Sequence, residues 1–457
     1  MGRQRSFYSC TDCGTRAVQW AGRCPGCSAW NTLVEEHEEA PRAVPPAAVE
    51  PPMPITQVDP RQWQARSTGI DELDRVLGGG LVAGSVTLVG GEPGIGKSTL
   101  LLQAAASIAA GGARCLYLSG EESAAQVQGR ASRVDALVDG LWFSGESDVR
   151  GIVTLIDRHQ PQLVVVDSIQ TTHDPELGTT PGTVTQVRGC AQQLIEVTKR
   201  TGTATVLVGH VTKEGELAGP RVLEHAVDTV LSFSGDRHHA LRLLRAVKHR
   251  FGSTDELGLF EMGERGLAGV PDPSALFLAD RRAGIPGSVV VPTLDGSRPL
   301  LVEVQALVST AGPAGARRSA QGIDPGRLAL LIAVLEQRVG LSLAGLDVYV
   351  SVAGGVRITE PGSDLAIGLA IASAVLGRPL PSGLVALGEI GLAGELRQVA
   401  QTPRRVGEAR RLGFDQLVVP ESAPDAGGIT YLRAPTLAHA LDLVGLGVDA
   451  ESVAASW

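Results

Sequence analysis

The stretch SVTLVGGEPGIGKSTLLLQAAASIAAGG, residues 85 to 112, leaves this chain little freedom in how to fold. SVTLVG is an apolar run of strand length, GEPGIGKS fits G-x-x-x-x-G-K-S, and the residues after it have the composition of an apolar helix. That order is what phosphate binding requires. Gly91, Gly94 and Gly96 free the backbone to wrap N–H groups around phosphates, and the helix N-terminus adds partial positive charge. Lys97 reaches the β- and γ-phosphates, and the Ser98 hydroxyl ligates Mg2+. The nucleotide site is therefore expected over Gly91, Glu92, Pro93, Gly94, Ile95, Gly96, Lys97, Ser98 and Thr99, with ATP and Mg2+ as cofactors.

Strand and helix patterns go on alternating through RCLYLSGEES, LWFSG, PQLVVVDSIQT and ATVLVGH, which implies crossover connections and a parallel-rich α/β sheet. LVVVDSIQ ends its strand in Asp167, placed to hold Mg2+ through water. YLSGEES ends in Glu121 and Glu122, and one of the two orients or deprotonates the attacking water. Glu121 is slightly preferred. A carboxylate at a strand end is often only a helix cap, but here two such ends converge beside a phosphate loop. His210, ending ATVLVGH, reads equally as a core histidine or as a sensor of the γ-phosphate.

Four of the six cysteines fall in CTDCGTRAVQWAGRCPGC, two C-x-x-C pairs ten residues apart. That spacing suits one tetrahedral Zn2+ on Cys10, Cys13, Cys24 and Cys27, closed and hence structural. Next comes EEHEEAPRAVPPAAVEPPMP, too polar and proline-rich to bury a core and so a linker. The expected domains are a four-cysteine zinc module over 1–34, a linker over 35–55, an ATPase domain over 56–271 and a third, α+β domain over 272–457.

With 49 acidic against 40 basic residues the net charge is -9, so bulk attraction to nucleic acid is excluded and any DNA site is a local patch. No apolar run approaches the roughly 18 to 20 residues that span a bilayer, and MGRQRSFYSC lacks the apolar core of a signal peptide. The expectation is a cytoplasmic protein with no membrane partner.

Acidic residues ending the strand after a phosphate-loop helix resemble the RecA-like ATPases, among them the DnaB helicases and the KaiC proteins. CPGCSAWNTL, STGIDELDRVLGGG, GEPGIGKSTLLLQ, LSGEES, VVVDSIQT, GHVTKEGELAGPRVLEH and LFLADR together resemble one family, bacterial RadA (Sms), over essentially the whole chain. The family motif Lys-Asn-Arg-Phe-Gly stands here as KHRFG, with His249 for asparagine. The resemblance implies an ATP-driven homo-oligomeric ring, a hexamer, that serves DNA repair, recombination and the stress response. It would act on single-stranded and branched DNA by branch migration, alongside a RecA-type recombinase. The rivals are a nucleotide-switched adaptor, a strand-exchange ATPase without translocation and an ATP-dependent protease.

The loops TTHDPELGTTPGTVTQVRG and TKEGELAGPR sit where RecA-like proteins contact DNA, and Lys213 and Arg221 are the cations of the second. In the third domain, GVRITEPGSDLAIGLAIASAVLG with ALGEIGLAGELRQV resembles the Lon proteolytic domain. Its serine position falls on Leu365 and its lysine position near Pro403 and Arg404, with Ser363 out of register, so no catalytic dyad is expected. Arginines at 317, 318, 397, 404, 405, 410 and 411 would be multiplied sixfold in a ring or would form a solvated surface, with Arg317, Arg318, Arg404 and Arg405 the DNA-binding candidates. Lys248 and Arg250 remain. Lys97 already serves the phosphates in its own subunit, and KHRFG is expected beyond the strands TVLSF and ALRLLRAV, on the far side of the domain. The two cations either act in trans on the nucleotide of the next subunit or bind DNA phosphates directly.

Overall fold

The computed structural model describes residues 6–37, 54–57, 64–210, 221–235, 241–313 and 315–447. Two compact units divide the chain, Met1–Pro271 and Asp272–Trp457.

The first unit holds a nine-stranded sheet. Its strands are β1 (Val86–Gly91), β2 (Cys115–Ser119), β3 (Leu141–Ser144), β4 (Leu163–Asp167), β5 (Ala204–His210), β6 (Thr229–Ser234), β7 (Leu241–His249), β8 (Leu257–Gly263) and β9 (Gly266–Gly269). The order is β9-β8-β7-β6-β1-β5-β4-β2-β3. β1 to β6 run parallel, and β7 to β9 extend the sheet as an antiparallel meander. The connecting helices are α1 (Lys97–Ala110), α2 (Ala124–Arg133), α3 (Val149–His159) and α4 (Val184–Thr201). Because both faces are covered, the strands are apolar on both sides. Val89, Tyr117, Val165 and Val206 pack with Leu100, Leu101 and Ala105 of α1 on one face. Leu88, Leu118, Val166 and Leu207 pack with Ile152, Leu194 and Val197 of α3 and α4 on the other. This is the α/β, parallel-rich sheet that the strand-helix alternation implies.

At the N-terminus, Ser6–Cys10 pairs with Arg16–Ala17 and Leu33–His37 in a small three-stranded sheet. The last of these strands continues to His37, three residues into the segment expected to be linker. Residues 38–53, the body of that linker, lie outside the described residues, as does Lys213.

The second unit is α+β, built on a seven-stranded mixed sheet. A helix, Asp364–Leu376, buried from Asp364 to Ser373, packs on it, and a second helix, Thr402–Arg411, covers part of the sheet.

Candidate nucleotide site

β1 delivers the chain into the phosphate loop, where two glycines have steric reasons to be glycines. A Cβ on Gly91 would stand 2.4 Å from the Phe233 carbonyl oxygen. Gly96 holds φ +115 and would press a Cβ to 2.7 Å from Met262 Cε. Gly96 is also the N-cap of α1, with no side-chain cap hydrogen bond. The first N–H groups of α1 thus point out of the helix end uncapped by any side chain, as an anion site requires.

Lys97 is buried, at 4% exposure, and its Nζ donates to the carbonyls of Gly91 at 2.7 Å and Glu92 at 3.0 Å. Burial lowers the pKa of its ammonium, and the charges of Asp167 and Glu121 oppose that shift. Two of the three predicted acids, Asp167 and Glu121, are therefore near the lysine. Asp167 is buried at the end of β4 and accepts the Tyr117 hydroxyl at 2.5 Å. That phenol is held well above its ordinary pKa, by burial first and by Asp167 next. The two glutamates differ. Glu121 accepts the Ser168 hydroxyl at 2.6 Å and stays within the field of Lys97, whereas Glu122 is ion-paired with Arg130 of α2.

The donor set fits a nucleoside triphosphate with Mg2+. Uncapped N–H groups and Lys97 suit the phosphates, and the Ser98 hydroxyl with the Asp167 carboxylate suits a hard cation. Two contributors escaped the sequence reading. Tyr117 fixes Asp167 from the neighbouring strand. Arg242, near the start of β7 and 7% exposed, donates to the carbonyl of Ile95 in the phosphate loop. A signal for Arg242 existed: it occupies the inward register of ALRLLRAV, in line with buried Leu244 and Ala246.

The KHRFG block begins within β7 rather than after it, since that strand runs on to His249, and β7 is an interior strand, two from β1 and with β8 and β9 outside it. Pairing sets its level. His249 is opposite Thr229, which is opposite Thr87, while the loop departs at Gly91 opposite Phe233. Four residues along a strand separate the two ends by about 13 Å. Lys248 Nζ donates to the carbonyls of Glu224 at 2.8 Å and Val227 at 2.7 Å. Arg250 pairs with Asp228 at 3.2 Å and leaves about half of its side chain exposed. His249 Nδ1 and the Thr229 hydroxyl are 2.9 Å apart.

Around the candidate DNA loops, Arg221 begins a short helix, Arg221–Glu224. The segment after Asp167 is ordered by its own polar side chains. Gln186 bonds Asp174 and Thr179, Arg150 pairs with Asp148 and Glu176, and α4 begins after the Thr183 cap.

In the N-terminal module the four Sγ atoms of Cys10, Cys13, Cys24 and Cys27 all lie within 4.8 Å of one another. Sulfurs at about 2.3 Å from one tetrahedral zinc would be about 3.8 Å apart. The Cys10–Cys27 and Cys13–Cys24 separations of 3.6 and 3.5 Å fit that figure.

The second unit overturns one DNA candidate. Arg405 is 2% exposed and grips Glu360 with two nitrogens, donating as well to the carbonyls of Pro292 and Ala400. It sits with Thr402, Val406 and Ala409 on the inward stripe of its helix, so it cannot reach a DNA backbone. Arg317, Arg318 and Arg404 are exposed, while Arg411 is engaged by Asp272 and Glu408. Leu365 is wholly buried, and the Ser363 hydroxyl is committed to the Glu360 carbonyl.

Three family models match the chain: "AAA domain" over residues 51–216, "Rubredoxin metal binding domain" over 8–35 and "Subunit ChlI of Mg-chelatase" over 339–423. DNA repair protein RadA of Halalkalibacterium halodurans is 48% identical over 436 residues, covering 94% of this chain and 95% of that protein. The protein of the same name from Bacillus subtilis is 46% identical over 452 residues, covering 96% and 99%. That from Mycolicibacterium smegmatis is 47% identical over 452 residues, covering 96% of each. A solved RadB recombinase superposes with a TM-score of 0.37 at 23% identity, over 45% of this chain and 99% of its own. No described helix is long and apolar enough to cross a membrane.

Proposed function

Because this chain belongs to the RadA family of DNA repair proteins, ATPases of RecA-like fold, we propose that it is a motor that remodels recombination and repair intermediates by branch migration. It works as a closed head-to-tail ring of six subunits. One observation supports this reading: Lys248 and Arg250 flank His249, whose level in the sheet is about 13 Å by strand rise from the end at which their own phosphate loop departs. Cations there cannot neutralise a γ-phosphate in cis. In a head-to-tail ring they meet the nucleotide of the next subunit, and catalysis then requires a neighbour.

In this reading each residue has one task. The loop Gly91–Thr99 and the α1 N-terminus cradle the phosphates, and Lys97 offsets their charge. Ser98 and Asp167 would hold Mg2+, which supplies further positive charge at the phosphates. Glu121 is the better base, because Glu122 is occupied by Arg130. DNA, single-stranded and branched, is met by exposed cations including Arg317, Arg318 and Arg404, and a RecA-type recombinase is the expected partner.

ATP hydrolysis measured with and without single-stranded DNA, beside electron microscopy of the particles, tests the reading. DNA stimulation and closed rings are expected. Absence of stimulation would leave a nucleotide-switched adaptor, and filaments would leave a strand-exchange protein. Arg250→Ala should bind ATP yet lose hydrolysis by about 10³-fold, and mixing it with Lys97→Ala should restore turnover at mixed interfaces. If Arg250→Ala hydrolyses ATP well and fails only on DNA, the block belongs to the DNA path.

A further inference from the structure

Asp228 is an acid to which neither the phosphate loop nor KHRFG assigns a role, and it touches both the strand that carries the loop and the KHRFG block. It immediately precedes β6 and is 8% exposed. Its backbone N–H donates to the Val86 carbonyl at 3.0 Å, and its Oδ2 accepts the Val86 N–H at 3.0 Å. Val86 opens β1, the strand that carries the phosphate loop at its other end. The remaining groups of Asp228 face Arg250. Its carbonyl accepts the Arg250 N–H at 3.1 Å, and Oδ1 accepts the guanidinium at 3.2 Å. Lys248 braces the turn leading into Asp228 through the carbonyls of Glu224, His225 and Val227.

The chemistry of that division is specific. A half-exposed arginine has many accessible rotamers, so a finger hung on a strand end points nowhere in particular without a fixed acceptor. One carboxylate oxygen supplies a fixed point. The hydrogen bond engages one of the five guanidinium donors, and the others stay available for a second anion. The other oxygen is anchored to the backbone of β1, so the acceptor cannot swing away with the arginine.

We propose that Asp228 is the positioning residue for Arg250, fixing its guanidinium to the base of the phosphate-loop strand so that it meets the nucleotide of the neighbouring subunit. The proposal rests on the trans reading of Arg250 above.

Asp228→Asn is the informative variant. An asparagine oxygen can still accept the Val86 N–H, while its NH2 faces a guanidinium that only donates, so the Arg250 contact alone is lost. The expected result is an unchanged KM for ATP and a kcat lower by about 10²-fold, the scale of a misplaced catalytic group. Mixed with Lys97→Ala, the variant should regain turnover, because one subunit then offers an intact loop and the next an intact finger. A merely structural role for Asp228 would act through β1 on its own phosphate loop, weakening ATP binding with no recovery on mixing. Weakened ATP binding, absent recovery or an unaltered kcat each overturns the proposal. Arg250→Ala run in parallel separates the two readings. If it turns over normally, or mixing does not restore it, the trans role itself fails. If it is defective and restored while Asp228→Asn is normal, only the positioning role fails.

Discussion

Buried cations do opposite work in the two units. In the first, Lys97 is held by the neutral carbonyls of Gly91 and Glu92, and burial lowers its pKa against the opposing charges of Asp167 and Glu121. In the second, Arg405 is closed by a bidentate carboxylate, Glu360, and Arg327 closes on the wholly buried Asp364 in the same way. Burial alone raises both acids. Arg405 prevails at Glu360, which ends below its ordinary value, while burial prevails at Asp364, which ends above. A carbonyl partner can be exchanged for phosphate at little cost, whereas a bidentate carboxylate cannot. Chemistry therefore resides where the buried charge is loosely satisfied, and architecture where it is tightly satisfied.

The largest effect should come from testing that contrast directly. Lys97→Ala is expected to abolish ATP turnover while leaving the melting temperature within a few degrees of the parent, since the loop carbonyls it bonds are neutral and are not left as charges by its loss. Near-normal hydrolysis would sink the phosphate-loop assignment. Arg405→Met should behave in the reverse manner. It leaves the partly buried Glu360 with the Thr293 hydroxyl and the Leu294 N–H but without its counter-charge, at a cost of about 3 kcal/mol, the low end for a broken buried pair, while nucleotide binding by the first unit persists. Calorimetry beside a nucleotide-binding assay reads both outcomes, and an Arg405 variant of unchanged stability would break the comparison.

How much of this was legible in the sequence depends on how far apart in the chain the cooperating residues lie. The phosphate loop and the cysteine knuckles are local, so spacing alone exposes them. So is the alternation that gives the parallel sheet, because both faces of each strand are apolar. Asp228 acts on Val86 across 142 positions, Arg242 on Ile95 across 147 and Tyr117 on Asp167 across 50. No periodicity encodes such pairs, since only the strand order brings them together. KHRFG was readable as a cation cluster but not as the end of an interior strand, because the antiparallel return of β7 reverses its direction relative to β1. Arg405 was a different failure. The residues that share its helical stripe, Thr402, Val406 and Ala409, spell an inward face that a count of arginines passes over.

The smallest effect concerns His249, and it sharpens the contrast because it is a partly buried titratable group satisfied on one side only. Its Nδ1 meets the Thr229 hydroxyl, while Nε2 is buried beside the Leu77–Gly78 backbone without a well-formed hydrogen bond. Burial pushes the imidazole below its ordinary value, with the adjacent backbone opposing weakly, and the flanking Lys248 and Arg250 add no negative charge to attract a proton. The sign follows. Below about pH 6.5 the unfolded chain binds a proton that the folded chain resists, so the stability contributed by neutral His249 is present above that pH and is lost as pH falls through it. A single histidine can contribute at most about 1.36 kcal/mol per pH unit to the slope. His249→Asn removes the titration and should flatten the fall in melting temperature between about pH 6.5 and 5, with little change at pH 8. If the two proteins lose stability in parallel over that interval, the imidazole is protonated in place at no cost and the KHRFG strand end is more open to water than its packing against Gly78 and Gly252 implies.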